Sequence, residues 1–177
     1  MRRLLALLAL GIIGCSNPST PAGYVGYVTK HPYTMPARFY ELQTGPTSTG
    51  LGWMLEVTNI SVTPNTSTEE FVGPDAVLAK DNLRIEFRSH LLWKIEPENV
   101  KNFVEKYGET GESPLAAAYN NFIKEPFRTY TRDEVQKYDG LDIKENIDAI
   151  GTAVQARILK LTQGTPFTII SVVIGNI

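Results

Sequence analysis

Hydrophobic and polar positions alternate most regularly over residues 82–95. Leu83, Ile85, Phe87, Leu91, Trp93 and Ile95 fall on one face, with Ser89 the exception, and Arg84, Glu86, Arg88, His90 and Lys94 fall on the other, with Leu92 the exception. A period of two sustained this far predicts an antiparallel strand with one buried and one wet face. Strands are expected also over residues 23–30 and 53–63, with shorter ones over 69–72 and 76–79, while 31–52 reads as turns. After Pro97 the period becomes helical. Val100, Phe103, Val104 and Tyr107 recur at i, i+3, i+4 and i+7; Pro97 suits the first helical position and Gly108 the stop. A second helix starts at Ser113-Pro114, carries Leu115, Ala118, Tyr119, Phe122 and Ile123 on one side, and is expected to end or kink at Pro126. Residues 131–134 and 142–145 have the spacing of capping boxes. The second is expected to open the longest helix, with the apolar stripe Ile143, Ile147, Ile150, Val154, Ile158 and Leu161. Gly164 closes that helix, and residues 167–177, rich in Ile and Val, read as a final strand. Strands, then helices, then one strand predict an α+β fold: an antiparallel sheet, a helical layer after it and a closing strand.

The start of the chain bears on where such a domain would live. Arg2 and Arg3 precede an apolar run, residues 4–13, that ends in Ile12, Ile13, Gly14 and Cys15. A basic head, a short apolar stretch and a small residue before the cut describe an export signal. The run is about half of the roughly 20 residues a spanning helix needs. The cysteine directly after Gly14 adds the pattern of a bacterial lipobox, in which the thiol is acylated and the leader is cut before it. An ordinary signal peptide with an incidental cysteine, or a short uncleaved anchor, are the competing readings. On the lipobox reading residues 1–14 are the leader and Cys15 is the acylated mature N-terminus. Residues 15–22 are then a polar, proline-bearing tether, and 23–177 form one domain.

Composition narrows the chemistry. The net charge is −2 and no basic stripe interleaves with aromatics, so nucleic acid is not an expected partner. Cys15 is the only cysteine, which removes internal disulfides and zinc-finger chemistry. The two histidines, His31 and His90, have no spacing for a metal, and His90 reads as a solvated strand residue. Residues 45–50 have the Gly-x4-Gly frame of a phosphate loop, but Leu51 and Gly52 stand where Lys and Ser or Thr are required. Glu69-Glu70 and Asp133-Glu134 are acid pairs that could pose as general acid and base. Glu134 reads as a cap and Glu69-Glu70 as strand-edge charges, so no catalytic residue, metal site or cofactor is expected. The aromatics close to Cys15 are candidates for the lipid interface: Tyr24, Tyr27 and Tyr33, with Lys30, and beyond them Tyr40, Arg38 and Met35. Tyr24 and Tyr27 are equally suited to packing into the sheet. For lateral contact, strand 82–95 and the final strand are candidate edges, and Lys144, Asp148, Gln155 and Lys160 form the outer helix face.

Four passages, taken in order, resemble one family. They are residues 23–28, Gly-Tyr-Val-Gly-Tyr-Val; residues 79–95, from Ala79 through Trp93 to Ile95; residues 127–135, Phe-Arg-Thr-Tyr-Thr-Arg-Asp-Glu-Val; and residues 158–164, Ile-Leu-Lys-Leu-Thr-Gln-Gly, with the hydrophobic strand that follows. They resemble the opening strand, the long strand, the segment before the long helix and the closing passage of the SPFH domain. That domain, also called Band 7 or prohibitin-homology domain, is found in stomatins, prohibitins and flotillins. The chain departs from the family at Asp139-Gly140, where members often carry an arginine, and in its lipobox, where many relatives use an uncleaved anchor. Members usually continue into heptads after the closing strand; this sequence stops at Asn176-Ile177. The resemblance implies a non-enzymatic scaffold on a lipid bilayer, a homo-oligomer that organises membrane microdomains, and a membrane protease as a possible client. With the lipobox it implies the exported side of a bacterial membrane, either the outer membrane or the periplasmic face of the inner one. A monomeric lipoprotein that binds a membrane client is the alternative, and an enzyme of uncharacterised type the remote one.

Overall fold

A computed structural model describes residues 15–107 and 113–175. Gly108, the expected helix stop, and Asn176-Ile177 lie outside the described residues, as do residues 1–14, the expected leader. The strands in chain order are β1 (Cys15–Ser16), β2 (Ser19–Thr20), β3 (Tyr24–Lys30), β4 (Arg38–Thr44), β5 (Thr47–Ser48), β6 (Gly52–Trp53), β7 (Leu55–Ser61), β8 (Asn65–Phe71), β9 (Val77–Leu78), β10 (Arg84–Ile85) and β11 (Phe87–Ile95). Helices α1 (Val100–Lys106), α2 (Pro114–Ala118), α3 (Lys124–Val135) and α4 (Ile147–Thr162) follow, and β12 (Phe167–Gly175) closes the chain. Among the described residues there are two three-stranded antiparallel sheets, β4-β3-β7 and β12-β11-β8, plus three short two-stranded pairs. The α+β expectation holds.

The second sheet carries the core. Phe87, Ser89, Leu91, Trp93 and Ile95 of β11 are buried, the face that the alternation assigns inward. Helix α4 covers that sheet with Ile150, Val154 and Ile158, all without solvent contact. Aromatic rings fill the space between: Phe71 stacks on Phe87 at 4.6 Å, and Phe167 meets Trp93 at 5.7 Å and Phe103 at 5.9 Å. The predicted strand 82–95 is interrupted at Glu86, and Leu83, assigned inward, is exposed. Ser89, the polar exception, is fully buried and its hydroxyl has no hydrogen-bond partner among the described residues.

Several expected elements differ. Strand β11 is no edge: it lies between β8 and β12. Strand β12 is an edge, but α4 leans against it. The Gln155 amide donates to the Ile170 carbonyl at 3.2 Å. Gly151 comes so close that a Cβ there would sit 3.2 Å from the Val172 carbonyl oxygen. A register shift at Leu92/Trp93 breaks the ladder beside Ile170 as well. Helix cover and a bulge are two ways of blunting an edge, so this strand is a guarded one. The region read as turns, 31–52, contains β4. Its apolar and polar residues do not alternate in or out, because Phe39, Tyr40 and Leu42 keep contact with solvent, and no period of two was there to detect.

Pro126 does not end the helix. The five residues Tyr119–Ile123 form a π turn in which the Lys124 N–H reaches back to the Tyr119 carbonyl, and the chain runs on into α3. That one-residue shift places Pro126, which has no N–H to give, just after an already rearranged turn. Thr131 is consequently mid-helix rather than a cap, donating to the Phe127 carbonyl at 2.8 Å. Glu134 accepts from Lys137 at 2.6 Å and from Arg157 at 3.2 Å, so it ties α3 to α4. The box at 142–145 likewise gives way to a short 3-10 turn, Lys144–Asn146, and α4 starts at Ile147.

The segment read as a tether is held against the domain. Ser19 and Thr20 pair with Ser48 and Thr47, and Cys15 and Ser16 pair with Trp53 and Gly52. Thr20 is buried and donates to Gln43 at 2.9 Å, Asn59 donates to the Ser19 carbonyl at 3.0 Å, and Ser48 donates to Asn17. Gly45 makes this docking possible. A Cβ at Gly45 would lie 1.8 Å from the Pro21 carbonyl oxygen and 2.6 Å from its carbon, so backbone would have to move. Gly45→Ala is expected to detach residues 19–22 and to cost about 1–3 kcal/mol. Amide hydrogen exchange at Thr20 should accelerate while exchange in α4 keeps its order; unchanged protection at Thr20 would contradict the docking.

Candidate functional site

One end of the first sheet gathers the chemistry that could meet a lipid surface. Register places Lys30 beside Arg38 on one side and Leu55 on the other, and the His31 N–H donates to the Met54 carbonyl at 2.8 Å. Met54 has φ 58, a left-handed conformation that turns β6 into β7 and separates Trp53 from the strand that sequence alone would continue. Leu51 and Trp53 project from this turn into solvent, and Tyr40 is exposed nearby. With Lys30 they line an open cleft of about 450 Å³. Tyr33 and Met35, in the β3–β4 connection at the same end, are exposed. Cys15 enters here, its backbone opposite Trp53. Cations and carboxylates balance: Lys30 and Arg38 against Glu41 and Glu56, with the His31 ring 3.0 Å from Glu56.

The four residues expected near the membrane therefore divide. Lys30 and Tyr33 are at the Cys15 end. Tyr24 is at the other end of β3, opposite Ser61, about 20 Å away at the rise of an extended strand. Tyr27 is buried; its ring packs on Phe39 at 5.0 Å and its hydroxyl donates to Glu105 at 3.3 Å. Burial, and after it the Glu105 carboxylate, raises the Tyr27 phenol above its ordinary range, so it stays a donor that fastens α1 to the sheet. Leu51 and Trp53 were missed as surface residues. The only signal was Gly50-Leu-Gly-Trp, two large apolar residues set among glycines.

A second concavity, about 730 Å³, opens at the Tyr24 end, between β7, β8 and the start of α2. Its lining is polar: Ser61, Thr63, Asn65, Ser67, Asn120 and Lys124 among others. At its floor Glu69 is buried and both its oxygens are engaged, one by the Tyr119 hydroxyl at 2.9 Å and one by Arg128 at 2.7 Å. Burial and then Glu69 push the Tyr119 phenol far above its usual range, which keeps it a proton donor. Trp93 donates to Ser67 at 3.0 Å. Glu69 is thus a structural anchor rather than the strand-edge charge that its sequence context suggests. His90 meets the Thr68 hydroxyl at 2.9 Å and forms no ion pair among the described residues. No three His, Cys, Asp or Glu side chains among the described residues gather as a metal site, and no helix among them is long and apolar enough to cross a membrane.

No curated protein sequence matches the chain. The family model described as SPFH domain / Band 7 family matches residues 19–177, starting at β2, the strand docked by Thr20. Members of that family are generally non-enzymatic. With the match running over nearly the whole chain and the strand–helix–strand order seen in three dimensions, the chain belongs to the SPFH/Band 7 family of membrane-associated scaffold domains.

Proposed function

We propose that this domain is a lipid-anchored scaffold, acylated at Cys15 on the exported side of a bacterial membrane, that assembles laterally with further copies and organises the bilayer around it. The observation that carries the reading is the position of Cys15: the lipobox cysteine is paired with Trp53 at the end of the domain where Leu51, Trp53, Tyr33 and Met35 are exposed. A diacylglycerol and an N-acyl chain exceed the two signals that stable anchoring takes. Confinement to a surface raises the effective concentration of neighbours, so weak lateral contacts become productive. Restraint of a membrane protease would be one use of such an assembly.

Expressed with its leader in a Gram-negative host, the wild type is expected to incorporate labelled palmitate and lose the leader, and Cys15→Ser to do neither. Wild-type protein that takes up no palmitate, or a Cys15→Ser variant that still does, would overturn the anchoring. Cross-linking of the wild type on native membranes should yield dimers and larger species. Monomer alone at every surface density, with one stoichiometric foreign protein, would instead support a monomeric client-binding module. The polar cleft at the Tyr24 end favours that second reading, since it offers hydroxyl and amide groups to an extended peptide.

A further inference from the structure

We infer that the Cys15 end of the domain enters the bilayer itself: the β6 turn, with Leu51 and Trp53, inserts at the headgroup–acyl boundary instead of standing off on a tether. The inference rests on the anchoring proposed above and goes beyond it, because a lipidated protein on a flexible linker needs no lipid contact of its own. Three observations carry it.

The first is slack. Cys15 is opposite Trp53 in an antiparallel pair, a spacing of about 5 Å between Cα atoms. The backbone of the residue to be acylated therefore lies beside the turn, and the docked residues 17–20 leave no spacer to lift the domain. The second is composition of the exposed end. Leu51 is 83% exposed and Trp53 46%, and Tyr33 at 80% and Met35 at 63% belong to the β3–β4 connection at the same end. Exposed apolar groups gathered at one end of a domain mark interaction surfaces, and Trp and Tyr favour the interfacial level, where a ring finds lipid and its polar edge finds water. The third is charge. Lys30 and Arg38, with Lys101 over the Phe39 ring, are matched by Glu41, Glu56 and Glu105, so the described residues of this end carry no excess of cations to seek anionic headgroups. Attachment at this end is thus through apolar area, on zwitterionic lipid as well as on acidic lipid.

The chain contains two tryptophans, which makes the test direct. Trp93 is 2% exposed and bonded to Ser67, so its emission does not respond to lipid; Trp53 is the reporter. The acylated full chain is reconstituted into phosphatidylcholine–phosphatidylethanolamine vesicles, some with lipids brominated high on the acyl chain and some with lipids brominated near its end. Insertion predicts a blue shift and strong quenching by the shallow bromines, weak quenching by the deep ones, and no loss between about 0.1 M and about 1 M salt, where exposed-charge attraction is screened away. Leu51→Asp, at a site too exposed to matter for folding, should reduce the shallow quenching several-fold. Trp53→Ser should abolish it while the fold stays intact. Vesicles that float with the protein bound but leave Trp53 unquenched would overturn the insertion and leave the anchoring standing. Quenching that disappears in high salt would overturn it too, in favour of electrostatic docking. Failure of the acylated chain to float at all would overturn the anchoring, and the insertion with it.

Discussion

Ile150→Asp is expected to cost on the order of 3 kcal/mol or more, a large part of the 5–15 kcal/mol that holds a typical domain together. Ile150 has no solvent contact and is one turn from Val154 on the face of α4 that packs on β12. A carboxylate there must either stay charged in a site with no cation or take up a proton at neutral pH, and both routes are unfavourable. Urea unfolding followed by far-UV circular dichroism should show a midpoint far below the wild type, or no folded baseline. Leu159→Asp is the control. It occupies the same helix but its side chain is exposed, so its unfolding free energy should stay within about 0.5 kcal/mol of the wild type. Equal effects of the two substitutions would mean that the buried face has been assigned wrongly.

Where period and burial coincide, the fold could be read directly from residues. The stripe from Ile143 to Leu161 and the alternation from Phe87 to Ile95 each report a face turned to the core, with Ile147 and Leu161 half-buried at the margin of the stripe. Legibility failed where that coupling is absent. Strand β4 touches solvent on both faces, so it left no alternation to detect. Pro126 is a breaker only against an unperturbed α ladder, and a π turn at Tyr119–Ile123 had already changed the ladder. Thr131 and Glu134 have the letters of a cap, but capping is a property of a helix end, and this helix begins at the other side of Pro126. The polar residues 16–20 look like a linker because their partners, Thr47, Ser48 and Gln43, are themselves polar; pairing of this kind carries no hydrophobic signal.

The candidate site shows the same limit at longer range. Tyr24, Tyr27, Lys30 and Tyr33 are close along the chain, and sequence alone grouped them as near the anchor. A strand rises about 3.3 Å per residue and turns alternate side chains to opposite faces, so closeness in sequence sends Tyr24 to the far end and Tyr27 inside. Trp53 joins Cys15 from nearly forty positions away, through a backbone pair that no periodicity encodes. The family likeness recovered the order of elements but not this surface, because order is set by the core and the surface by loops.

Glu69 offers the sharpest separation between a charge that holds the fold and one that decorates it. Its side chain is 7% exposed, Arg128 is 13% exposed, and the pair spans β8 and α3 at 2.7 Å, with the Tyr119 hydroxyl completing the carboxylate. Glu69→Ala takes the buried acceptor from the Tyr119 phenol and leaves the largely buried Arg128 guanidinium only the solvated Asp75, and is expected to cost about 3 kcal/mol. Asp75 stays 3.1 Å from Arg128, but it is largely solvated and cannot reach Tyr119 in place of Glu69. Glu69→Gln retains an acceptor for the phenol and loses only the charge, so a smaller loss, about 1–3 kcal/mol, is expected. A double-mutant cycle with Arg128→Ala should return a coupling energy above about 1 kcal/mol, because two groups in one network do not act independently. Asp139→Ala, which breaks the exposed pair with Lys80 at 3.7 Å, should move the unfolding free energy by less than about 1 kcal/mol. The ranking should persist in 1 M salt, since the buried pair is poorly screened. If Glu69→Ala unfolds no more easily than Asp139→Ala, the carboxylate is not what clamps α3 to the sheet, and the fully engaged Glu69 at the floor of the cleft would have to be explained by something the cleft binds.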